Sequence, residues 1–386
     1  YDKEKFSPDD IDSISVLKQI PILSKEEIRL NLNKMIPANI IPGRLKKMYT
    51  GGSTGKPLMI YHDKYASNTM IALHFRMLNQ WGIPTPAFGE RTVHVWGASY
   101  TNENQIYNKQ TLWNRFKTNY VWFNAFAMSE KSMDKWAKFW DNYKPKIVIG
   151  YTSALTEFAS YLIKTNNKSI RPKIIWTTSE PLYDFQKLTL ENAFKADVFS
   201  QYGLNEIHHI ASDCKHQKGL HINAENRIVE ISSNNNKSKK NEPGNIIVTD
   251  LSNYAMPLIR YDTEDISKIL SENCSCGINL PMIDYVSGRV CDIIKLKNGR
   301  RIHSEWFTHQ FKVYNKEIRR FQDHQVSIDK SIVSIIPEKG ININSLIAKL
   351  NNSFKLYTDN LMTFEMRIVN NIDKETSGKF RFIKSL

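Results

Sequence analysis

From residue 146 to residue 203 the hydrophobic pattern switches back and forth between two periods. "KIVIG" (146–150) is a short apolar run closed by glycine, and "TSALTEFASYLIK" (152–164) carries apolar residues at helical spacing. "KIIWTTSE" (173–180) reads as a buried strand, "YDFQKLTLENAF" (183–194) as a helix and "DVFSQYG" (197–203) as another strand. This alternation predicts βαβ units and a parallel sheet with right-handed crossovers. Functional loops then fall at the carboxyl ends of strands, where "TTSEP" and "QYGLNE" lie.

Beyond Leu220 the pattern changes to shorter strands, "RIVEIS", "NIIVTD" and "LIRYDTED", interrupted by the polar turn "SNNNKSKKNEPG" (233–244). From Gly288 onward a smaller unit is expected. It opens with the hairpin "RVCDIIKLKNGRRI" turning at Asn298-Gly299, followed by a helix-like "SEWFTHQFKVY". Two strands near 325–337, a helix near 344–357 and a strand near 364–370 complete it. The pattern divides the chain into a large unit, residues 1–288, and a small one, residues 289–386. The expected fold class is α/β, mixed α+β.

A chain of 386 residues with 41% hydrophobic content can bury a sizeable core, and no run reaches the length of a membrane span. The start "YDKEKFSPDD" is polar and lacks a signal-peptide core, so a soluble, cytoplasmic protein is expected; with no initiating Met, the expectation is of a truncated or trimmed chain. The formal charge of +14 suits an anionic partner, but the lysines are spread among Asn and Ile along the whole chain. With no aromatic-interleaved basic stripe, nucleic acid is not an expected partner. A Lys- and Asn-rich proteome or an anionic substrate or cofactor both account for the charge.

The candidate chemistry lies in six short stretches. "YTGGSTGKP" (49–57) gathers three glycines, hydroxyl residues and Lys56, the composition of an anion-gripping loop. Pro57 occupies the place where a Walker loop has Ser or Thr, so this loop does not open a helix onto phosphate. "SEP" (179–181) and "QYGLNE" (201–206) follow consecutive strands. "LIRYDTEDI" (258–266) leads to "SGRVCD" (287–292), and "SGKFR" (377–381) closes the small unit.

In this order the motifs resemble the adenylate-forming superfamily of acyl-CoA synthetases, luciferases and peptide-synthetase adenylation domains. The likeness is greatest to the phenylacetate–CoA ligase branch with its capsular-polysaccharide-biosynthesis relatives. "DDIDSISVLKQIPILSKEEIR" (9–29) also resembles the segment that precedes the phosphate loop in that branch, so the likeness covers nearly the whole chain. The resemblance implies a large N-terminal adenylate-forming domain and a small mobile C-terminal lid domain hinged near Asp292. It implies ATP and Mg²⁺, attack of a carboxylate on the α-phosphate, and transfer of the acyl group to a second nucleophile. Coenzyme A is the first acceptor implied. An amine or hydroxyl of an amino acid, a sugar or a carrier is the alternative that the capsule relatives suggest.

By the same resemblance, Thr50, Gly52, Ser53, Thr54, Gly55 and Lys56 hold the β- and γ-phosphates, where charge builds on the leaving pyrophosphate. Ser179, Glu180, Pro181, Tyr202 and Gly203 frame the adenine, Glu206 holds Mg²⁺, and Asp265 with Arg289 binds the ribose hydroxyls. Lys379 reaches the carboxylate and α-phosphate. Two positions depart from the family pattern: Asn205 replaces the usual Thr or Ser, and Glu264 replaces the usual Gly. They are the only support in the sequence for a degenerate, non-catalytic nucleotide-binding protein.

Cys214, Cys274 and Cys276 with His216 or His221 offer four ligands of the kind a tetrahedral structural zinc takes. Zinc-bearing members of the branch have an arrangement that favours His221; unpaired buried thiols are the alternative. Cys291 is expected to pack, and His208 and His209 to be satisfied loop histidines, unless one faces the acyl pocket. Trp96, Tyr100, Trp122, Phe123 and Phe126 mark the stretch where that pocket is expected, each a core candidate as well. The partners expected are thus a small carboxylate and its acyl acceptor, and a homodimer stays open.

Overall fold

The structure is a computed structural model and describes residues 13, 16–37, 45–49, 58–83, 90–96, 119–125, 128–233, 236–237, 240–287, 293–303, 307, 310–311, 314, 317–338, 340–373 and 380–386. Its largest layer is an eight-stranded sheet. Five strands are parallel neighbours: β3 (Thr92–Trp96), β4 (Tyr120–Asn124), β5 (Ile147–Tyr151), β6 (Ile174–Thr178) and β7 (Asp197–Tyr202). The sheet continues antiparallel through β8 (Ala211–Ser212), β9 (Leu220–Ile222) and β14 (Met282–Ile283). Every residue of β5 and β6 is buried, as expected where helices cover both faces.

One face carries Val93, Val95, Val121, Phe123 and Val148. They pack against α3 (Glu130–Tyr143), α4 (Thr152–Lys164) and α5 (Asp184–Phe194), which contribute Trp136, Trp140, Phe158 and Phe194. The other face presents Ile149, Trp176 and Phe199 to Met77, Leu78 and Trp81 at the end of α2 (Lys64–Gln80). Helix α4 follows the expected 152–164 to the residue, and α5 begins one residue after its expected start. The pattern named neither α2 nor α3.

A second sheet pairs β10 (Arg227–Ser233), β11 (Asn236–Lys237), β12 (Gly244–Asp250) and β13 (Tyr261–Ser267), all antiparallel. A short helix, α1 (Lys25–Asn31), and the hairpin β1 (Lys46–Tyr49) and β2 (Met59–His62) lie with it. Ile28, Leu58 and Ile60 join Tyr202, Ile207 and Tyr261 in one buried cluster, which ties this sheet to the end of β7.

Toward the C-terminus, β15 (Ile293–Lys295) and β16 (Arg301–His303) form the hairpin expected at Asn298-Gly299. A four-stranded sheet, β19-β18-β17-β20, then packs on α6 (Asn344–Tyr357). Here β17 is Ile318–Ser327, β18 Lys330–Pro337, β19 Thr363–Ile368 and β20 Ile383–Lys384. The first of these strands begins earlier than the pattern near 325 indicated. Of the helix-like stretch 304–314, Phe307 and Phe311 are described and buried, in one cluster with Phe321, Phe354 and Phe364.

Candidate functional site

Parallel neighbours β6 and β7 end side by side and deliver "SEP" and "QYGLNE" to one edge of the sheet. Ser179, just past β6, has φ +70°, a left-handed conformation that a non-glycine residue holds at a cost. Gly203 leaves no room for a side chain: a Cβ there would lie 2.7 Å from the backbone nitrogen of His209. The turn after β7 is therefore closed tightly against the following loop.

Two carboxylates meet at this edge, each held by a tyrosine from the other's element. Tyr202, at the end of β7, donates its hydroxyl to Asp265 Oδ2 on β13 at 2.9 Å. Tyr261 on β13 donates to Glu206 Oε1, beyond β7, at 2.8 Å. Glu206 and Asp265 are 5% and 6% exposed, so both acids are withdrawn from water and depend on these donors. Burial, with the Glu206 charge next, pushes the Tyr261 hydroxyl well above its ordinary range and keeps it protonated. His62 Nε2 lies 3.1 Å from the Glu206 carbonyl oxygen. Asn205 is exposed beside them.

Glu264 has φ +63°, the backbone region that favours glycine, which accounts for the residue usual at this position in the resembling family. Its carboxylate is paired with Lys25 Nζ at 2.6 Å, so the extra negative charge beside Asp265 is answered locally. Pairing by Lys25 of α1 was not legible from the sequence.

Glu180 spends its carboxylate away from the crossed pair. Oε2 accepts the Ser153 N–H at 2.6 Å and Oε1 the Ser153 hydroxyl at 3.0 Å, in the first turn of α4. Oε1 also accepts the N–H of Phe380 at 3.1 Å. The following residues, Pro181, Tyr183 and Phe185, wall a cleft of about 220 Å³ that reaches Asp213, Gln217 and Tyr285. Asp213 is 2% exposed. Its Oδ2 accepts the Ser200 N–H at 2.9 Å, while Oδ1 is buried without a partner among the described residues. Burial raises its carboxyl well above the usual range, toward the neutral acid. Asp213 carries no motif; only its place before Cys214, beyond a buried strand, could have marked it.

Burial likewise keeps the nearby imidazoles neutral. His74 falls to about 4 and His208 to about 3, and His209 lies well below its ordinary value. Their rings contact one another, His62 and Trp176. Of the aromatics expected around an acyl pocket, Phe123 lies in the core beneath α3. Trp122 is 44% exposed and stacks on His94 at 4.2 Å, and Trp96 packs on Tyr151. Tyr100 and Phe126 lie outside the described residues, as does Cys291.

The cysteine cluster assembles on the antiparallel side of the sheet. Cys214 follows β8, His221 lies in β9, and Cys274 and Cys276 precede β14. One ligand atom from each of the four lies within 4.8 Å of every other. Cys214 and Cys274 sulfurs are 3.6 Å apart, and Cys276 Sγ is 3.4 Å from His221 Nε2. Gly277, at φ +86°, turns the chain so that Ile278 N–H points back to Cys276 Sγ at 3.4 Å. Three thiols and an imidazole around one point fit a tetrahedral zinc. His216 instead meets Ser275 Oγ at 3.0 Å.

The remaining expected site residues lie outside the described residues: Thr50, Gly52, Ser53, Thr54, Gly55, Lys56, Arg289, Asp292 and Lys379. The strands before and after the glycine-rich loop are described, and they pair antiparallel with Tyr49 opposite Met59.

Comparison with known proteins agrees with this fold. Residues 294–386 match the model of the CapK C-terminal domain. Protein CapK of Staphylococcus aureus is 26% identical over 379 residues, covering 96% of this chain and 80% of that protein. A crystal structure of 2-hydroxyisobutyryl-CoA ligase in the postadenylation state, with 2-HIB-AMP, is similar with a TM-score of 0.78 at 14% identity. It covers 100% of this chain and 84% of that one. The same ligase with 2-HIB-AMP and CoA in the thioesterification state gives 0.62 at 16% identity, with the same coverage. The chain thus has the mixed α/β fold of the adenylate-forming ligases, with a large N-terminal and a small C-terminal part, and the likeness to the capsule-related branch extends to CapK.

Proposed function

Given that fold, we propose that the chain is an adenylate-forming ligase: it activates a carboxylic acid with ATP and Mg²⁺ and releases pyrophosphate. One observation carries this reading, the crossed pair in which Tyr202 holds Asp265 and Tyr261 holds Glu206. Two buried acids fixed in this way are pre-aimed without help from a ligand.

In the first half-reaction the acid's carboxylate oxygen attacks the α-phosphorus and the bond to pyrophosphate breaks. Asp265 accepts hydrogen bonds from the ribose hydroxyls, and Arg289 donates to their oxygens. Thr50, Gly52, Ser53, Thr54, Gly55 and Lys56 stabilise the charge on the leaving group, and Lys379 that between the carboxylate and the α-phosphate. Glu206 would hold Mg²⁺, which neutralises phosphate charge. The cleft beside Pro181 suits the adenine. Asp213, on the cleft wall, has Oδ1 to offer to the polar edge of that base. The acyl group then passes to coenzyme A. The likeness to CapK favours a second reading, transfer to an amine or hydroxyl of a sugar, an amino acid or a carrier. Structural zinc at the Cys214 cluster, domain limits at 1–288 and 289–386 with a hinge near Asp292, and action in the cytoplasm belong to the same proposal.

Carboxylate-dependent ATP–pyrophosphate exchange, run across aryl, fatty, amino and sugar acids, tests it. Exchange with at least one class is expected, and Lys379→Ala should abolish it while ATP affinity stays nearly intact. No exchange with any class ends the ligase reading and revives a non-catalytic nucleotide-binding protein.

A further inference from the structure

Four ties join the C-terminal unit to two neighbouring helices of the large one. Glu180 Oε1 accepts the Phe380 N–H at 3.1 Å while its carboxylate sits on the first turn of α4. One turn along α4, Glu157 Oε2 pairs with Arg320 Nη2 at 2.7 Å. The Arg320 guanidinium also lies 4.9 Å from the centre of the Phe380 ring, so the two ties share a residue. Phe382 meets Tyr183 and Phe185 edge-on, at 5.8 and 6.3 Å, and these rings wall the cleft.

The partners on the C-terminal side are built into their own sheet. Phe382 O accepts the Asp323 N–H at 2.8 Å, and Arg381 O accepts from Gln322 Nε2 at 2.8 Å, which fixes residues 380–384 along β17. What Glu180 and Glu157 hold is therefore the whole C-terminal unit, gripped at the residue that follows Lys379 in the chain. Glu157 lies in α4 and the Glu180 carboxylate, from the loop after β6, caps its first turn, while their cationic and N–H partners come from the other side. Such a junction is polar and partly open to water. The Arg320 and Glu157 side chains are 21% and 28% exposed, which suits a contact made and released rather than a permanent core.

We propose that Glu180 and Glu157 are positioning residues: through Phe380 and Arg320 they dock the C-terminal unit so that Lys379 is delivered for acid activation, and their release frees it for the transfer step. This rests on the ligase reading. It is in keeping with the better likeness of the whole chain to a ligase in its postadenylation state than in its thioesterification state.

The test compares the full chain with Glu180→Ala and Arg320→Ala, using amide hydrogen exchange over 380–386 and pyrophosphate exchange with the acid that supports it. Both variants should speed amide exchange over 380–386 about tenfold while β18 keeps its rate. They should lower kcat about 10- to 100-fold and leave KM for ATP within about threefold. Glu180→Gln keeps an acceptor oxygen for Phe380 and should recover much of kcat. Ser153→Ala removes only the hydroxyl bond to Glu180 Oε1, keeps the Ser153 N–H on Oε2, and should leave kcat within about threefold. Unchanged amide exchange over 380–386 overturns the proposal. So does a loosened segment with unchanged kcat, or a loss in Ser153→Ala as large as in Glu180→Ala. If no acid supports exchange in the unaltered chain, the ligase reading falls and the positioning role with it; amide exchange then still reports whether the junction exists.

Discussion

Glu206 and Asp265 each end on a tyrosine hydroxyl, whereas Cys214, His221, Cys274 and Cys276 end on one another. The first cluster is closed by the protein's own donors, so its side chains keep their places whether or not a ligand is bound. The second gathers three thiols and an imidazole whose mutual contacts are weak, and burial pushes the Cys214 thiol up to about 12. Such a set fits a bound cation. On the proposed reading, the loss of the first site is felt in chemistry and the loss of the second in folding.

Metal removal should break the comparison most strongly. Chelation, or Cys274→Ser, should lower Tm by roughly 10 °C, followed by thermal denaturation alongside metal analysis of the purified protein. Activity below the transition should survive. A chain free of zinc as purified, with the same Tm in the chelator, would remove the difference between the clusters. Next in size, Glu206→Gln should slow pyrophosphate exchange by about 10²–10³-fold with little change in Tm, since Tyr261 keeps an oxygen to donate to. A large fall in Tm instead would make Glu206 a structural group like the cysteines. The smallest effect is expected at the cleft: Asp213→Ala should raise KM for ATP about tenfold, the worth of one or two hydrogen bonds, with kcat nearly unchanged. An unaltered KM would take the adenine out of that cleft.

Much of the large unit was legible because its elements are strongly periodic. The all-buried strands β5 and β6 and the amphipathic α4 follow from spacing alone. The three cysteines of the cluster were legible as ligand candidates because cysteine is rare here, four in 386 residues, whereas only the family resemblance favoured His221 over His216. Helices α2 and α3 were not named, and Tyr261, Asp213 and Lys25 carried no signal. A tyrosine in a strand reads as packing until its hydroxyl is seen to meet an acid 55 positions away. Glu180 shows the limit within a motif: the sequence set it beside the adenine, but its carboxylate caps α4 and reaches Phe380, 200 residues on.

By itself the sequence determined the class of fold, the order of the motifs and which residue types could do chemistry, because period and composition are local properties of the chain. The tertiary structure decided which groups meet: the crossing of Tyr202 and Tyr261, the pairing of Lys25 with Glu264, the convergence of the Cys214 cluster and the grip of Glu180 on Phe380. Those contacts join residues 55 to 239 positions apart. They depend on strand register and helix placement, fixed only when the whole core packs.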